Sequence, residues 1–158
     1  MRISGIKKTV TFTAMIVLLY SCIRSNDVYF SYKTIPTEGW NKDSICRFDV
    51  DITDNAASYN VYVNIRNRSE YPRQNLWLFI RRIAPDSVIK TDSINFYLAD
   101  QRGKWLGSGV GSTYEMPVLF EQNVKFSLPG KYRFEVKHGM RDDLLPGVND
   151  VGLRIEKN

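Results

Sequence analysis

Residues 45–66 read ICRFDVDITDNAASYNVYVNIR, and this stretch decides the fold class. Cys46, Phe48, Val50 and Ile52 alternate with Arg47, Asp49 and Asp51. After the polar run 53–58, Tyr59, Val61, Val63 and Ile65 alternate with Asn60, Asn64 and Arg66. A side-chain period of two sends one row to each face of an extended chain, so each segment reads as a strand with one apolar and one wet face. The two segments read as a hairpin turned at 53–58. Cys46, inside an inward row, reads as a small buried hydrophobe.

The same pattern continues outward from this stretch. Residues 76–83, LWLFIRRI, are apolar on both faces at their start, as in a central strand covered twice, which places Trp77 in the core. Ile94, Phe96 and Leu98 alternate with polar neighbours, although Tyr97 blurs the row. Residues 113–120 carry Pro117, which lacks the donor a ladder needs and so marks an edge or a bulge. Pro129-Gly130 suits a type II turn joining a segment 124–128 to the row Tyr132, Phe134, Val136, His138. Val151, Leu153 and Ile155 supply the last strand. The sum is an all-β antiparallel sandwich of about eight or nine strands, favoured over a barrel.

The beginning of the chain is of another kind. Arg2, Lys7 and Lys8 precede the apolar run TVTFTAMIVLLY at 9–20, then Ser21 and Cys22, the order of a secretory signal peptide. A run of about 12 apolar residues is short of the roughly 20 a transmembrane helix needs. Leu19-Tyr20-Ser21-Cys22 resembles the lipobox of bacterial lipoproteins, with Tyr20 larger than the pattern prefers. Residues 1–21 are therefore expected to be a signal peptide, 22–27 a lipidated tether beginning at Cys22, and 28–158 one domain. Two or more acyl chains, each buried methylene contributing about 0.8 kcal/mol, would anchor the chain to a membrane stably.

The whole chain has a formal charge of +5 and a pI near 9.2. Losing Arg2, Lys7 and Lys8 with the leader leaves 19 basic against 17 acidic residues, a net of +2, which considerably weakens the electrostatic argument for nucleic acid, and no nucleic-acid partner is expected. Catalysis finds no support either. His138 is the sole histidine, and no nucleophile elbow or cysteine–histidine signature accompanies it. One histidine and one thiol cannot fill a zinc site, and Asp142, Asp143, Asn149 and Asp150 match no calcium loop, so no metal and no cofactor is expected. The glycine-rich run from Gly103 to Gly111 lacks the Gly-Lys-Ser/Thr ending of a phosphate loop and reads as a tight β connection that lets backbone pass close to a neighbour. Trp40 and Trp105 stand beside glycines in loops, where exposed rings could stack on sugars, so a lipid-anchored carbohydrate-binding module is the alternative reading.

The mature chain as a whole resembles the gliding-motility-associated lipoprotein GldH family of the Bacteroidota. The resemblance is carried by Cys22, Trp40, Tyr59-Asn60-Val61-Tyr62-Val63 running into Arg66-Asn67, and Tyr71-Pro72 before Asn75-Leu76-Trp77-Leu78-Phe79-Ile80. It continues through Leu98-Ala99-Asp100, Gly103-Lys104-Trp105-Leu106-Gly107, Gly130-Lys131-Tyr132, Gly139-Met140-Arg141 and Leu145-Pro146-Gly147-Val148-Asn149-Asp150. It implies an accessory lipoprotein of the gliding and type IX secretion-associated envelope machinery. Such a protein would be anchored at the outer membrane, lack enzymatic activity, and have other envelope proteins as partners. Similar proteins occur in Bacteroidota that do not glide. Some surface-exposed lipoproteins of the phylum carry several acidic residues after the cysteine; Ile23-Arg24-Ser25-Asn26-Asp27 has one, which favours the periplasmic face. Trp105 and Leu106 in one glycine-rich stretch, and Met140 and Arg141 in the other, are the expected partner-binding residues, provided the two stretches meet at one end of the domain.

Overall fold

A computed structural model describes residues 26–158; the expected leader, Cys22 and residues 23–25 lie outside the described residues. Eleven strands follow in order: β1 (Asp27–Thr34), β2 (Trp40–Asn41), β3 (Cys46–Ile52), β4 (Tyr59–Arg68), β5 (Asn75–Ile83), β6 (Ile89–Tyr97), β7 (Ser108–Val110), β8 (Thr113–Val124), β9 (Gly130–His138), β10 (Leu144–Leu145) and β11 (Val148–Lys157). They form a five-stranded sheet, β1-β11-β4-β8-β7, a four-stranded sheet, β3-β9-β5-β6, and the small pair β10-β2, with every pairing antiparallel. Four strands have no counterpart in the sequence pattern: β2, β7 and β10 are two or three residues long, too short to show any alternation, and the edge strand β1 has no fully buried row.

The inward rows of the two larger sheets meet in one apolar cluster, a sandwich-like arrangement. Val61, Val63, Ile65, Leu153 and Ile155 come from one sheet, and Phe48, Val50, Leu78, Ile80, Phe134 and Val136 from the other. At one end Phe126 joins them, its ring 5.3 Å from Tyr59 of β4 and 4.7 Å from Tyr132 of β9. Cys46 is buried as expected, and burial pushes its thiol pKa up to about 11.

Three expectations are corrected. β3 and β4 are not a hairpin, because β3 pairs with β9 (Phe48 opposite Phe134) while β4 runs between β11 and β8. Residues 53–58 cross from one sheet to the other, with Asp54 accepting from the Ala56 and Ala57 N–H groups. Two inward rows facing each other across a core about 10 Å thick have the same sequence signature as two rows side by side. Residues 125–129 likewise cross between β8 and β9 rather than forming a strand, and Gly130 has φ of 129°, outside the type II value. Finally, β5 is central but covered on one face. Leu76, Leu78 and Ile80 are at most 1% exposed, while Trp77 and Phe79 point outward at 43% each. Pro117 lies on the sheet edge, past the three β8 residues that β7 covers.

The strand directions divide the molecule into two poles. The end of β1, the end of β4, the start of β5, the ends of β6 and β9 and the start of β11 gather at one pole, with their connecting loops 35–45, 69–74, 98–112 and 139–147. Asn26, which accepts from the Lys157 N–H at 2.9 Å, lies at the other pole with 53–58, 125–129 and the C-terminus.

Candidate functional site

The loop pole is organised around Tyr71. Its ring is buried, its hydroxyl donates to the Asn75 carbonyl at 2.8 Å, and burial raises its pKa. The 103–111 stretch reaches it through Trp105, whose ring lies 6.4 Å from Tyr71 and 5.7 Å from Tyr114. Residues 139–152 reach it through Gly147, where φ is +82° and an added Cβ would fall 2.5 Å from the Tyr71 Cα. The Arg68 N–H donates to the Gly147 carbonyl at 2.8 Å, and Ser69 N–H to the Ser112 carbonyl at 2.9 Å. The two glycine-rich stretches do meet at one end of the domain.

Within that pole the four expected partner-binding residues form two groups. Trp105 pairs with Ala99 in an isolated bridge and is half-buried between the two tyrosines, whereas Leu106 is 52% exposed. Close backbone passage explains the glycines here: a Cβ at Gly109 would meet the Thr113 carbonyl oxygen at 2.4 Å. Met140 and Arg141 stand elsewhere, beside Trp77. The Trp77 N–H donates to the Met140 Sδ at 3.3 Å, the Gly139 N–H donates to the Trp77 carbonyl at 2.7 Å, and Arg141 is exposed.

Trp40 does not serve the stacking role of the alternative reading. It is fully buried, because Trp40–Asn41 pairs with Leu144–Leu145 and folds the loop inward. Its Nε1 donates to the Ser44 carbonyl at 3.1 Å and its ring meets His138 edge-on at 5.3 Å. His138 is itself 2% exposed, with Nε2 3.0 Å from the Trp40 carbonyl, and burial lowers its pKa. A neutral ring donating from Nε2 to that carbonyl satisfies this geometry. Among the described residues no three of His, Cys, Asp and Glu gather as a metal site would require.

Two features escaped the sequence reading. One is the outward aromatic set Trp77, Phe79 and Tyr97, the last 60% exposed. Its signal was the strict alternation with Leu76, Leu78 and Ile80. The other is a polar network on the outer face of the five-stranded sheet. Tyr32 donates to Glu115 at 2.7 Å, Arg66 Nε to Glu115 at 2.8 Å, and the Asn64 amide reaches the Tyr32 hydroxyl at 3.3 Å. The Arg66 guanidinium lies 3.9 Å over the Tyr32 ring. Burial opposes ionisation of Glu115, but the Tyr32 and Arg66 hydrogen bonds outweigh it and hold the carboxyl below its ordinary range; Tyr32 is pushed up to about 12 by burial and by Glu115. The partners come from β1, β4 and β8, which no local pattern links.

Comparison with known proteins follows the same residues. The model of the family described as GldH lipoprotein matches residues 27–155. The chain is 34% identical over 149 residues to the gliding motility lipoprotein GldH homolog of Christiangramia forsetii, covering 90% of this chain and 91% of that protein. It is 32% identical over 148 residues to the gliding motility lipoprotein GldH of Flavobacterium johnsoniae, covering 89% and 91%. Among solved structures, the infectious bursal disease virus VP2 subviral particle aligns with 82% of this chain and 30% of that one at 12% identity, and a TM-score of 0.34 is too low to define a shared fold. The family match spans the described strands from β1 into β11 and both loop stretches of the Tyr71 pole, and the chain belongs to the GldH lipoprotein family.

Proposed function

We propose that this protein is an outer-membrane-anchored accessory lipoprotein of the gliding motility and type IX secretion-associated envelope machinery, acting by binding other envelope proteins rather than by catalysis. Cys22 carries the lipid, and the periplasmic face is favoured. The observation that carries the binding reading is the polarity of the fold. The tether enters at Asn26, while the loop pole with Trp105, Leu106, Met140 and Arg141 lies at the far end of the strands. At about 3.3 Å per residue, the eight residues of β1 separate the two poles by roughly 25 Å. An anchored domain of this shape presents its loops away from the lipid, and loops held by a rigid sheet scaffold are the usual place for recognition residues.

Leu106 is the sharper probe of this surface, since Trp105 also packs against Tyr71 and Tyr114. The test is chemical crosslinking and affinity isolation from native membranes with the wild type and Leu106→Asp. The variant should fold, reach the membrane and lose co-isolated envelope proteins. A folded, anchored variant that keeps every partner would move the binding surface away from this loop.

A further inference from the structure

Trp77 and Phe79 leave β5 on the same face, two residues and so roughly 7 Å apart, each 43% exposed. Beside them runs a groove of about 390 Å³ lined by Arg73, Asn75, Trp77, Met140, Arg141 and Asp142. Its shape is fixed from within. Gly139 also lines it, and the Phe79 ring passes where a side chain would stand, 2.8 Å from the Cβ position. Met140 is held by the Trp77 N–H, and the Asn75 amide donates to Asn95 at 2.8 Å on the neighbouring β6.

The charges around this groove do not balance. Asp142 beside it is held by Arg73 at 3.1 Å, and further along the outer face Asp49 is held by Arg133 at 2.7 Å and Glu135 by both Arg47 and Arg81 at 3.1 and 3.2 Å. Arg141 and Lys137 have no carboxylate partner among the described residues, and the Lys137 ammonium lies 5.8 Å from the Phe79 ring centre. Two uncompensated cations therefore flank two exposed aromatic faces. A second copy docked symmetrically through this face would gather four uncompensated cations in one interface.

We propose that this groove binds an acidic oligosaccharide of the uronic-acid type. A sugar ring offers a flat C–H face to an aromatic ring and hydroxyls around its rim, so Trp77 and Phe79 support successive rings. Asn75 and Asp142 take hydroxyls, and Arg141 and Lys137 pair with the carboxylates, in the charge-assisted manner that favours guanidinium. The inference does not rest on the protein-binding reading, whose probe, Leu106, does not line this groove.

The test is calorimetric titration of the full mature chain in detergent with an oligogalacturonate and a neutral cello-oligosaccharide of equal length. The acidic ligand should bind about tenfold or more tightly than the neutral one, a difference of about 1.4 kcal/mol, and the gap should close as salt is raised. Arg141→Gln should remove that preference while sparing neutral binding. Trp77→Ala should weaken both at least about tenfold in a variant shown to be folded by its melt. Leu106→Asp should leave the titrations unchanged. Absence of saturable binding by the oligogalacturonate overturns the proposal, as does affinity that survives Trp77→Ala. Tighter binding of a polyglutamate peptide than of the acidic sugar also overturns it, assigning the face to a protein segment.

Discussion

Truncating Phe134 to alanine tests the facing-sheet arrangement at its centre. Phe134 is 0% exposed, stands opposite Phe48 on β3 and Arg82 on β5, and belongs to the cluster shared with Val63 and Ile65 of the other sheet. The removed ring leaves a cavity walled on both sides, so relaxation into it is limited, and a loss of about 3 to 5 kcal/mol follows. For a folded region of this size that lowers the melting temperature by roughly 10 to 20 °C. Lys137→Ala, on the same strand but exposed, should cost less than about 0.5 kcal/mol, or slightly more through its contact with Phe79. Both are read by urea and thermal melts of the unlipidated chain beginning after Cys22. Equal losses at the two positions would refute the assignment of inward and outward faces on β9.

Three further outcomes are expected. Cys22→Ser should release the protein from the membrane fraction and abolish labelling by a fatty-acid probe; labelling of the variant would refute the anchor. Gly147→Ala forces a left-handed backbone on a side chain with no room beside Tyr71, so it should lose more than the roughly 1 to 2 kcal/mol of the backbone term alone and shift Trp105 fluorescence; an unchanged melt would show that Tyr71 can move aside. His138 has a folded-state pKa lowered by burial, so below an unfolded value of about 6.5 the unfolded chain takes up a proton that the native state does not. The stability from a neutral His138 is thus fully present above that pH and lost as pH falls toward the folded pKa. Urea melts at pH 7.5 and 5.5 should show a pH-dependent loss that His138→Gln lacks, and identical pH dependence in both would refute it.

Alternation was enough to find β3, β4, β9 and β11, because each of these strands buries its alternating apolar row and exposes or half-buries most of the residues between. It could not say which sheet a strand joins, since a row knows only that it faces the core. That ambiguity produced the hairpin reading of β3 and β4. Trp77 was misplaced because β5 is apolar on both faces while only one is covered. The burial of Trp40 depends on Leu144–Leu145, a pairing more than a hundred residues away, and no local pattern encodes it. The two loop stretches stand out in the sequence by their glycines and interface-prone side chains, and the structure brings both to one pole. Their division into a Trp105 group and a Trp77 group was not, because Tyr71, which organises the pole, lies in a third loop.

The position of β1 has a mechanical consequence. It is an edge strand bonded along one side to β11, and its first residue lies at the pole opposite the loops. A pull that enters at Asn26 and is resisted at the loop pole runs along the axis of β1. Antiparallel hydrogen bonds lie perpendicular to the strands, so such a load shears the ladder from Tyr29–Ile155 to Thr34–Asp150 as a set. Force applied across the sheet at Asn26 would instead open the bonds one at a time, from Asp27 onward. The domain is therefore stiff along the line from Asn26 to the loops and weak across it, so it would transmit tension in one direction and yield in the other.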